Sequence, residues 1–260
     1  MQRSGLLAPL IRGAGTALTI QVVSAGVLYG SHLLLARWMG TTEYGIYDYA
    51  SAVGLLLAFA AGFGLPTAVL RLIPTYQVRE DWALLRGMIW GSWQQTCWVG
   101  AIASICGTIA VLGVDATRSL GAYTLPLAVG MWAIPVLALT NLQLEIARAF
   151  HQIVLAYAPS LLVQPLLLTI AAAVWQLRQD VTSTVAIALS LLATLLALAL
   201  QGFLFHRSLD ANIRTVRPAY DRSRWRREAL PLLLVGGSHI ILNRTDTLTI
   251  GALLSAKEVG

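Results

Sequence analysis

The chain has 260 residues, of which 57% are hydrophobic and only 12% are charged, and its formal net charge is +6. A soluble domain carries about 25% charged residues, so this composition excludes an ordinary water-soluble protein. We expect an all-α integral membrane protein, because lipid requires every backbone polar group to be paired within its own segment.

Seven segments meet the length of about 20 apolar residues that a bilayer crossing requires. In chain order these predicted helices are 13–36, 49–70, 87–112, 122–142, 154–177, 181–205 and 229–254. The first apolar segment comes after Arg3 and Arg12, which is also the pattern of a signal peptide. However, the apolar segment continues beyond any cleavage point near Ser24. We therefore predict that it is retained as a helix.

Neither a metal site, a bound cofactor nor enzymatic chemistry is predicted. Cys97 and Cys106 lie nine residues apart on one predicted helix, about 180° apart around its axis, so they cannot form a disulfide with each other. No cysteine or histidine set has the spacing of metal ligands. A membrane-embedded glycosyl or acyl transferase would need paired carboxylates or histidines at the surface, and the loops carry isolated acids.

The basic residues predict the orientation, because short loops rich in Arg and Lys stay in the cytoplasm. With alternating spans, 13 of the 18 basic residues fall on one side, four on the other, and Arg244 inside the seventh span. The larger set is Arg3, Arg12, Arg71, Arg79, Arg86, Arg148, Arg207, Arg214, Arg217, Arg222, Arg224, Arg226 and Arg227. The N-terminus is therefore predicted to be cytoplasmic.

One loop is long and polar, and it divides the chain into predicted domains. Residues 1–206 form a six-helix N-terminal lobe, 207–228 a basic cytoplasmic connector, and 229–260 the first helix of a second lobe. Trp225 lies among the arginines of the connector, a pattern typical of a segment on anionic phospholipid headgroups. The alternative is that the connector is a dedicated binding site for a partner. Nucleic acid is not expected as that partner, because the basic residues are spread over several short loops.

The first and seventh predicted helices end alike. LLLARWMGTTEYG (33–45) and LTIGALLSAKEVG (248–260) align so that Glu43 matches Glu258 and Gly45 matches Gly260. Six helices lie between the two starts, so both copies would share one orientation, as in a parallel internal repeat. We expect the 260 residues to contain one lobe and the start of a second.

Four stretches resemble polysaccharide biosynthesis and export proteins, the group of O-antigen and teichoic-acid flippases within the multidrug/oligosaccharidyl-lipid/polysaccharide exporter superfamily. They are ARWMGTTEYGIYDYA (36–50), FGLPTAVLRLIPTY (63–76), IARAFHQIVLAYAPSLLVQPLLL (146–168) and LNRTDTLTIGALLSAKEVG (242–260). Two departures matter: members of that group are nearly twice as long, and Gln164 stands where an arginine would be expected before Pro165.

The resemblance implies two lobes around a central cavity and alternating access for a polyprenyl-diphosphate-linked sugar in a bacterial inner membrane. It also implies polysaccharide polymerases or glycosyltransferases as partners. Within transport, a multidrug exporter of the same superfamily is the alternative, although it would favour acidic cavity residues. A truncated, non-transporting membrane protein is a further alternative.

The substrate site is predicted mainly on the seventh helix. At 100° per residue His239, Asn243 and Asp246 lie within about 60° of one another, while Arg244 points about 160° from Asp246. Ionisable groups at such depth normally face a cavity or a partner. These residues either line the substrate passage or hydrogen-bond between helices, and Asp246 is the first candidate for coupling to an ion gradient.

Arg71 and Arg148 are predicted at the cytoplasmic ends of the second and fourth helices. They either anchor the helix ends by snorkelling or form an entry site for the diphosphate. Glu145 lies three residues before Arg148, where a local ion pair would weaken an anion site. Gln94 and Gln95 in the third helix either line a cavity or bond a neighbouring helix.

Overall fold

The structure is a computed structural model that describes the backbone of residues 3–232 and the side chains of residues 15, 16, 18–210 and 212–232. Within this part the chain is helical and contains no strand. The helices are α1 (Arg3–Gly62), α2 (Leu65–Val78), α3 (Trp82–Arg118), α4 (Thr124–Met131), α5 (Ala133–Ala149), α6 (Ile153–Ala158), α7 (Gln164–Gln176), α8 (Ser183–Ser208) and α9 (Ala211–Thr215). A 3₁₀ turn (Gly121–Tyr123) precedes α4, a π-helical turn (Pro159–Val163) joins α6 to α7, and residues 222–232 form α10 as far as it is described.

Four helical stretches in the described residues are long and apolar enough to cross a membrane, and the bent pair α4–α5 makes a fifth if it counts as one span. Large apolar side chains cover their outward faces; on α3, Ile102 is 58% exposed and Ile109 is 65% exposed. Such a continuous apolar surface is unfavourable in water and suits hydrocarbon. The predicted all-α class is confirmed for this part of the chain, and its surface indicates a membrane protein.

Helix α1 is interrupted at Gly40, which has a non-helical conformation (φ 76°, ψ 169°). His32 Nδ1 and the Tyr44 hydroxyl, 12 residues apart, lie 2.6 Å from each other. In a straight helix their separation along the axis would be about 18 Å. The chain therefore folds back at Gly40, and α1 consists of an N-terminal arm (3–39) and a C-terminal arm (41–62). Sequence reasoning placed a loop here, between residues 36 and 49.

The predicted second span, 49–70, is broken in the structure. Phe63 (φ 51°) and Gly64 (φ 72°) are in the left-handed region, and α2 starts at Leu65. The cause is Pro66, whose ring would clash with the carbonyl of Gly62 in a continuous helix. In the first turn of α2 the missing proline N–H has no cost.

The fourth predicted span is bent by 44° between α4 and α5. Pro135 has no N–H to donate to the Met131 carbonyl, which would be its partner in a regular helix. Ser104 of α3 donates its hydroxyl to that carbonyl at 2.7 Å. A neighbouring helix thus satisfies the backbone group that the proline frees, which is how proline bends are tolerated in lipid.

Helix α3 packs closely on the α4–α5 bend through small residues. A Cβ atom on Gly100 would lie 2.7 Å from Pro135 Cα, and one on Gly107 would lie 2.6 Å from Met131 Sδ. Ser104, on the same stripe, is fully buried. Small side chains at this spacing let membrane helices approach each other.

Contacts between loops identify which helix ends lie together. At one end, the Ala219 N–H donates to the Ala83 carbonyl at 2.9 Å, and Gln152 Nε2 donates to Ser208 Oγ at 2.9 Å. These contacts join the loop before α3, the loop before α6 and the chain after α8. All three belong to the basic set of loops in the sequence-based topology.

At the other end, Glu43 Oε2 accepts from the Ser183 N–H at 2.7 Å. The rings of Tyr49 and Tyr123 meet edge to face with centroids 5.8 Å apart. These contacts join the Gly40 turn, the loop before α4 and the loop before α8. The topology predicted from the basic residues assigns each loop to one side of the membrane. In the described structure, these contacts join loops that this topology assigns to the same side.

Helix α10 starts earlier than the sequence predicts. Helical residues begin at 222, seven positions before the predicted start of the seventh span at 229, so Pro231 is the tenth residue of the helix. Asp221 explains the start: its Oδ1 accepts from the Arg224 N–H at 3.2 Å, which caps the helix. The last seven residues of the predicted connector, 222–228, are therefore the beginning of the next helix.

Candidate functional site

Four of the six predicted substrate-binding residues, His239, Asn243, Arg244 and Asp246, lie outside the described residues. The other two, Arg71 and Arg148, are described. Arg71 is exposed on α2, and Arg148 is half-buried near the end of α5. Neither lies in the wall of the two cavities described next.

Arg148 is already paired. Its Nη1 donates to both carboxylate oxygens of Glu145, at 2.8 and 2.9 Å, and its guanidinium lies 5.9 Å from the centre of the Tyr157 ring. This is the local pair that the three-residue spacing predicts. An arginine held by a carboxylate has less capacity for an anionic substrate, so the entry-site hypothesis is weaker here than at an unpaired cation.

The chain after α8 is docked against α2 and α3. Arg86 Nη1 donates to the Val216 carbonyl at 2.6 Å, and Trp225 Nε1 donates to the Tyr76 hydroxyl at 3.0 Å. Trp225 is only 3% exposed. Gly87 makes the docking possible, because a Cβ atom there would overlap the Ala219 carbonyl. Trp225 is thus a buried anchor in the described structure, and the contact of the basic connector with anionic headgroups stays a prediction.

This docking forms a cationic cavity of about 470 Å³ between α3 and α10. We call it the cationic cavity; the described residues that line it are Phe63, Gly91, Gln94, Gln95, Trp98, Val99, Arg222 and Arg226. Two guanidinium groups face two side-chain amides across it, and none of these lining residues carries a carboxylate. The position of Gln94 and Gln95 in this wall supports the hypothesis that they line a cavity, rather than the hypothesis that they bond a neighbouring helix.

The spacing along α10 sorts its arginines between two faces. Arg222 and Arg226 are one helical turn apart and about 40° from each other around the axis, while Arg224 points about 160° away from both. Arg224 Nε donates to Glu228 Oε1 at 3.2 Å. This hydrogen bond raises the pKa of the Arg224 guanidinium above its ordinary value. Glu228 therefore pairs with Arg224, which points away from the cationic cavity.

A second cavity, of about 180 Å³, lies between the two arms of α1, the bent pair α4–α5 and α8. Its wall includes His32, Asp48, Ser51, Ser190 and Thr194. We call it the acidic pocket. Asp48 and Ser51 are one turn apart on the C-terminal arm of α1, and Ser190 and Thr194 one turn apart on α8. One carboxylate and several hydroxyl groups form a set of oxygen atoms suited to a cation or to hydrogen-bond donors.

Sequence reasoning missed the acidic pocket. The predicted second span began at residue 49, which placed Asp48 in a loop, although the helix includes it. The pairs Asp48–Ser51 and Ser190–Thr194 at spacings of three and four were the available signal, since each places two polar groups on one helix face. Nothing in the sequence joins the two pairs, because 139 residues separate Ser51 from Ser190.

The geometry defines a class of protein: a helical membrane protein whose described part has a cationic cavity and an acidic pocket between its helices. Comparison adds no narrower assignment, because no family model, no curated protein and no solved structure matches the chain. The function therefore has to be inferred from the chemistry of the two cavities.

Proposed function

We propose that the chain forms part of a transporter that moves a lipid-linked oligosaccharide across a bacterial inner membrane. The substrate would be a polyprenyl-diphosphate-linked sugar. Two lobes would rock about a central passage, and the described residues would belong to the first lobe. The cationic cavity is the observation that carries this proposal.

The physical problem of such transport is the polar half of the substrate. A diphosphate and a sugar must cross about 30 Å of hydrocarbon, while the isoprenoid tail can stay in lipid. Moving an anionic group requires cationic donors in a wet cavity, and the sugar hydroxyls require neutral hydrogen-bonding partners. No covalent step is needed, so no nucleophile or metal is part of the mechanism.

The cationic cavity supplies both kinds of group. Arg222 and Arg226 carry planar guanidinium groups, which bind phosphate oxygens through paired N–H donors. Gln94 and Gln95 offer amide donors and acceptors to sugar hydroxyls. Because no lining residue is a carboxylate, the cavity favours an anion and disfavours a cation. This sign is what separates the proposal from a cation exporter.

The helix count supports a six-helix lobe. If the two arms of α1 cross separately, the crossings are the N-terminal arm, the C-terminal arm, α3, α4–α5, α6–α7 and α8. Six crossings return the chain to its starting side, in agreement with the predicted cytoplasmic N-terminus and connector. The contact between the loop before α3 and the chain after α8 fits this count, because four crossings separate them.

The predicted residues of the seventh helix belong to the same proposal. In the sequence, Arg244 and Asp246 follow Arg226 by 18 and 20 residues. We propose that Arg244 extends the set of cationic groups that Arg222 and Arg226 begin. Asp246 stays the first candidate for coupling to an ion gradient.

The acidic pocket favours a second candidate function, a multidrug exporter that binds organic cations. Asp48 is the carboxylate that would bind the cation, with Ser51 and Ser190 as further oxygen ligands. The two functions differ in the charge of the transported molecule, so one assay distinguishes them.

The test is transport in proteoliposomes by a protein that carries both proposed lobes, with this chain as the first. A fluorescent polyprenyl-diphosphate sugar is placed in both leaflets, and an impermeant quencher reports how fast the inner pool becomes accessible. We expect transfer at least tenfold faster than in protein-free vesicles, and no acceleration for a neutral polyprenyl glycoside without the diphosphate. Transport of a lipophilic cation in place of the sugar lipid would establish the second candidate, and transport of neither would leave a non-transporting membrane protein.

A further inference from the structure

The acidic pocket holds a carboxylate that no described side chain neutralises. Asp48 lies in its wall, and none of the described residues that line the pocket is a lysine or an arginine. Asp48 takes part in neither of the two ion pairs of the described residues, and no described residue donates a hydrogen bond to its side chain. An ionisable side chain within a membrane span is costly, and it normally faces a cavity, a partner or an ion.

The acidic pocket lies well inside the helices and not at their ends. Asp48 is eight residues after the Gly40 turn, or about 12 Å along the helix axis. Ser190 is seven residues after Ser183, the first residue of α8, or about 10 Å along that axis. Gly40 and Ser183 belong to the same end of the structure, because Glu43 accepts from the Ser183 N–H. The two sides of the pocket are therefore at a similar depth.

Hydroxyl oxygens accompany the carboxylate in the wall of the acidic pocket. The Tyr47 hydroxyl lies beside the hydroxyl groups of Ser51, on the same arm of α1, and of Ser190, on α8. Thr194 is 5% exposed and donates its hydroxyl hydrogen to the Ser190 carbonyl at 2.7 Å. The Thr194 oxygen keeps its lone pairs, which can bind a cation. Carboxylate and hydroxyl oxygens are ligands of the kind that hard cations prefer.

The volume and the charge of the acidic pocket suit a small monovalent cation. A volume of about 180 Å³ has room for an ion and several waters, but it is smaller than the roughly 300–1,000 Å³ of sites for drug-sized molecules. Asp48 is the one carboxylate among the described lining residues, and one carboxylate balances one positive charge. Calcium sites typically combine several carboxylates. His32, also in the wall, shares a hydrogen bond of 2.6 Å with the Tyr44 hydroxyl through Nδ1.

We propose that the acidic pocket binds one small monovalent cation, with sodium as the ion to test. The Asp48 carboxylate supplies the negative charge, and the hydroxyl oxygens of Ser51, Ser190 and Thr194 complete the coordination together with water. The ion joins the C-terminal arm of α1 to α8, so its binding stabilises the contact between these two helices. This site does not depend on the proposed transport of a lipid-linked sugar.

Thermal unfolding of the detergent-purified chain tests the proposal. Sodium chloride replaces N-methyl-D-glucamine chloride at constant ionic strength. A ligand that binds only the folded state raises Tm, so we expect a rise of roughly 3–6 °C at a sodium concentration ten times the Kd. Asp48→Asn keeps the shape of the side chain, removes its charge and should lose this rise. Asp180→Asn is the matched control, because it removes the same charge from an exposed residue just before α8, and it should keep the full rise.

Equilibrium binding of radioactive sodium measures the affinity directly. We expect at least tenfold weaker binding to Asp48→Asn, about threefold to tenfold weaker binding to Ser190→Ala, which removes one neutral ligand, and unchanged binding to Asp180→Asn. Equal binding to Asp48→Asn and Asp180→Asn would overturn the site, and so would equal stabilisation by sodium and N-methyl-D-glucamine. Displacement of the sodium by tetraphenylphosphonium at a lower concentration than by lithium would also overturn it, because the pocket would then be a site for organic cations.

Discussion

The double substitution Arg222→Gln with Arg226→Gln is expected to abolish transport of the lipid-linked sugar. Both guanidinium groups line the cationic cavity, and neither has a carboxylate beside it in the wall of that cavity. A hydrogen bond to a charged group contributes about 1.5–3 kcal/mol, so losing two contacts to the diphosphate corresponds to roughly 10²–10⁴-fold weaker binding. Initial transport rates in proteoliposomes, measured below substrate saturation, report this loss.

Arg224→Gln is the matched control for that experiment. It removes one positive charge from the same helix, but Arg224 is paired with Glu228 on the opposite face. Its transport rate should stay within about twofold of that of the unmodified chain, since an exposed ion pair contributes little to stability. If Arg224→Gln reduces transport as much as the double substitution does, net charge and not the cationic cavity determines the rate.

The second large effect is expected at Gly87, where a single methyl group should displace the chain after α8. In Gly87→Ala the new Cβ would overlap the Ala219 carbonyl, which is backbone and cannot rotate away. The contact between Ala83 and Ala219 and the burial of Trp225 depend on the same close approach. Overpacking of this kind costs about 1–3 kcal/mol, so the docked state should lose most of its population.

Limited trypsin digestion measures the docking, because cleavage after Arg222 requires the backbone around it to detach and unfold locally. We expect at least tenfold faster cleavage in Gly87→Ala, together with loss of transport. Gly113→Ala on the same helix is the control, since a Cβ there meets no atom within 4 Å. Alanine is a better helix former than glycine, so a lower stability of Gly87→Ala relative to Gly113→Ala must come from the contact. Equal cleavage of the two variants would show that Gly87 does not hold the segment in place.

The sequence was sufficient for the features that depend on local chemistry. Apolar length predicts the helices, and the turn around Gly40 falls in the predicted loop. The three-residue spacing predicts the pair of Glu145 and Arg148, which the structure contains. Each of these features depends only on residues that are close together in the chain. Composition and residue spacing are therefore enough to predict them.

Breaks inside helices were harder to predict. Pro66 and Pro135 were visible as points where a helix could bend, but prolines also occur in straight, well-packed membrane helices. The outcome depends on partners elsewhere in the fold. Ser104, 27 residues before Met131, donates the hydrogen bond that stabilises the bend between α4 and α5.

The cationic cavity required long-range contacts that no local pattern reveals. Trp225 meets Tyr76 across 149 residues, and Arg86 meets Val216 across 130. Sequence reasoning identified the arginines of the connector and the two glutamines of α3 separately. Only the docking of α10 on α3 brings them to one cavity, and the Asp48 carboxylate of the acidic pocket was missed for the same reason.

The most direct measurement of the central claim is photocrosslinking from the wall of the cationic cavity. A photoreactive benzoylphenylalanine replaces Gln95, and in a second variant it replaces Leu112, which is 52% exposed on the apolar face of α3. Both are irradiated in vesicles that contain a radiolabelled polyprenyl-diphosphate sugar. We predict that the probe at position 95 captures the labelled sugar lipid, that the Arg222→Gln with Arg226→Gln background suppresses this capture, and that the probe at position 112 captures phospholipid only. Capture of phospholipid alone at position 95 would contradict a passage for an anionic sugar lipid.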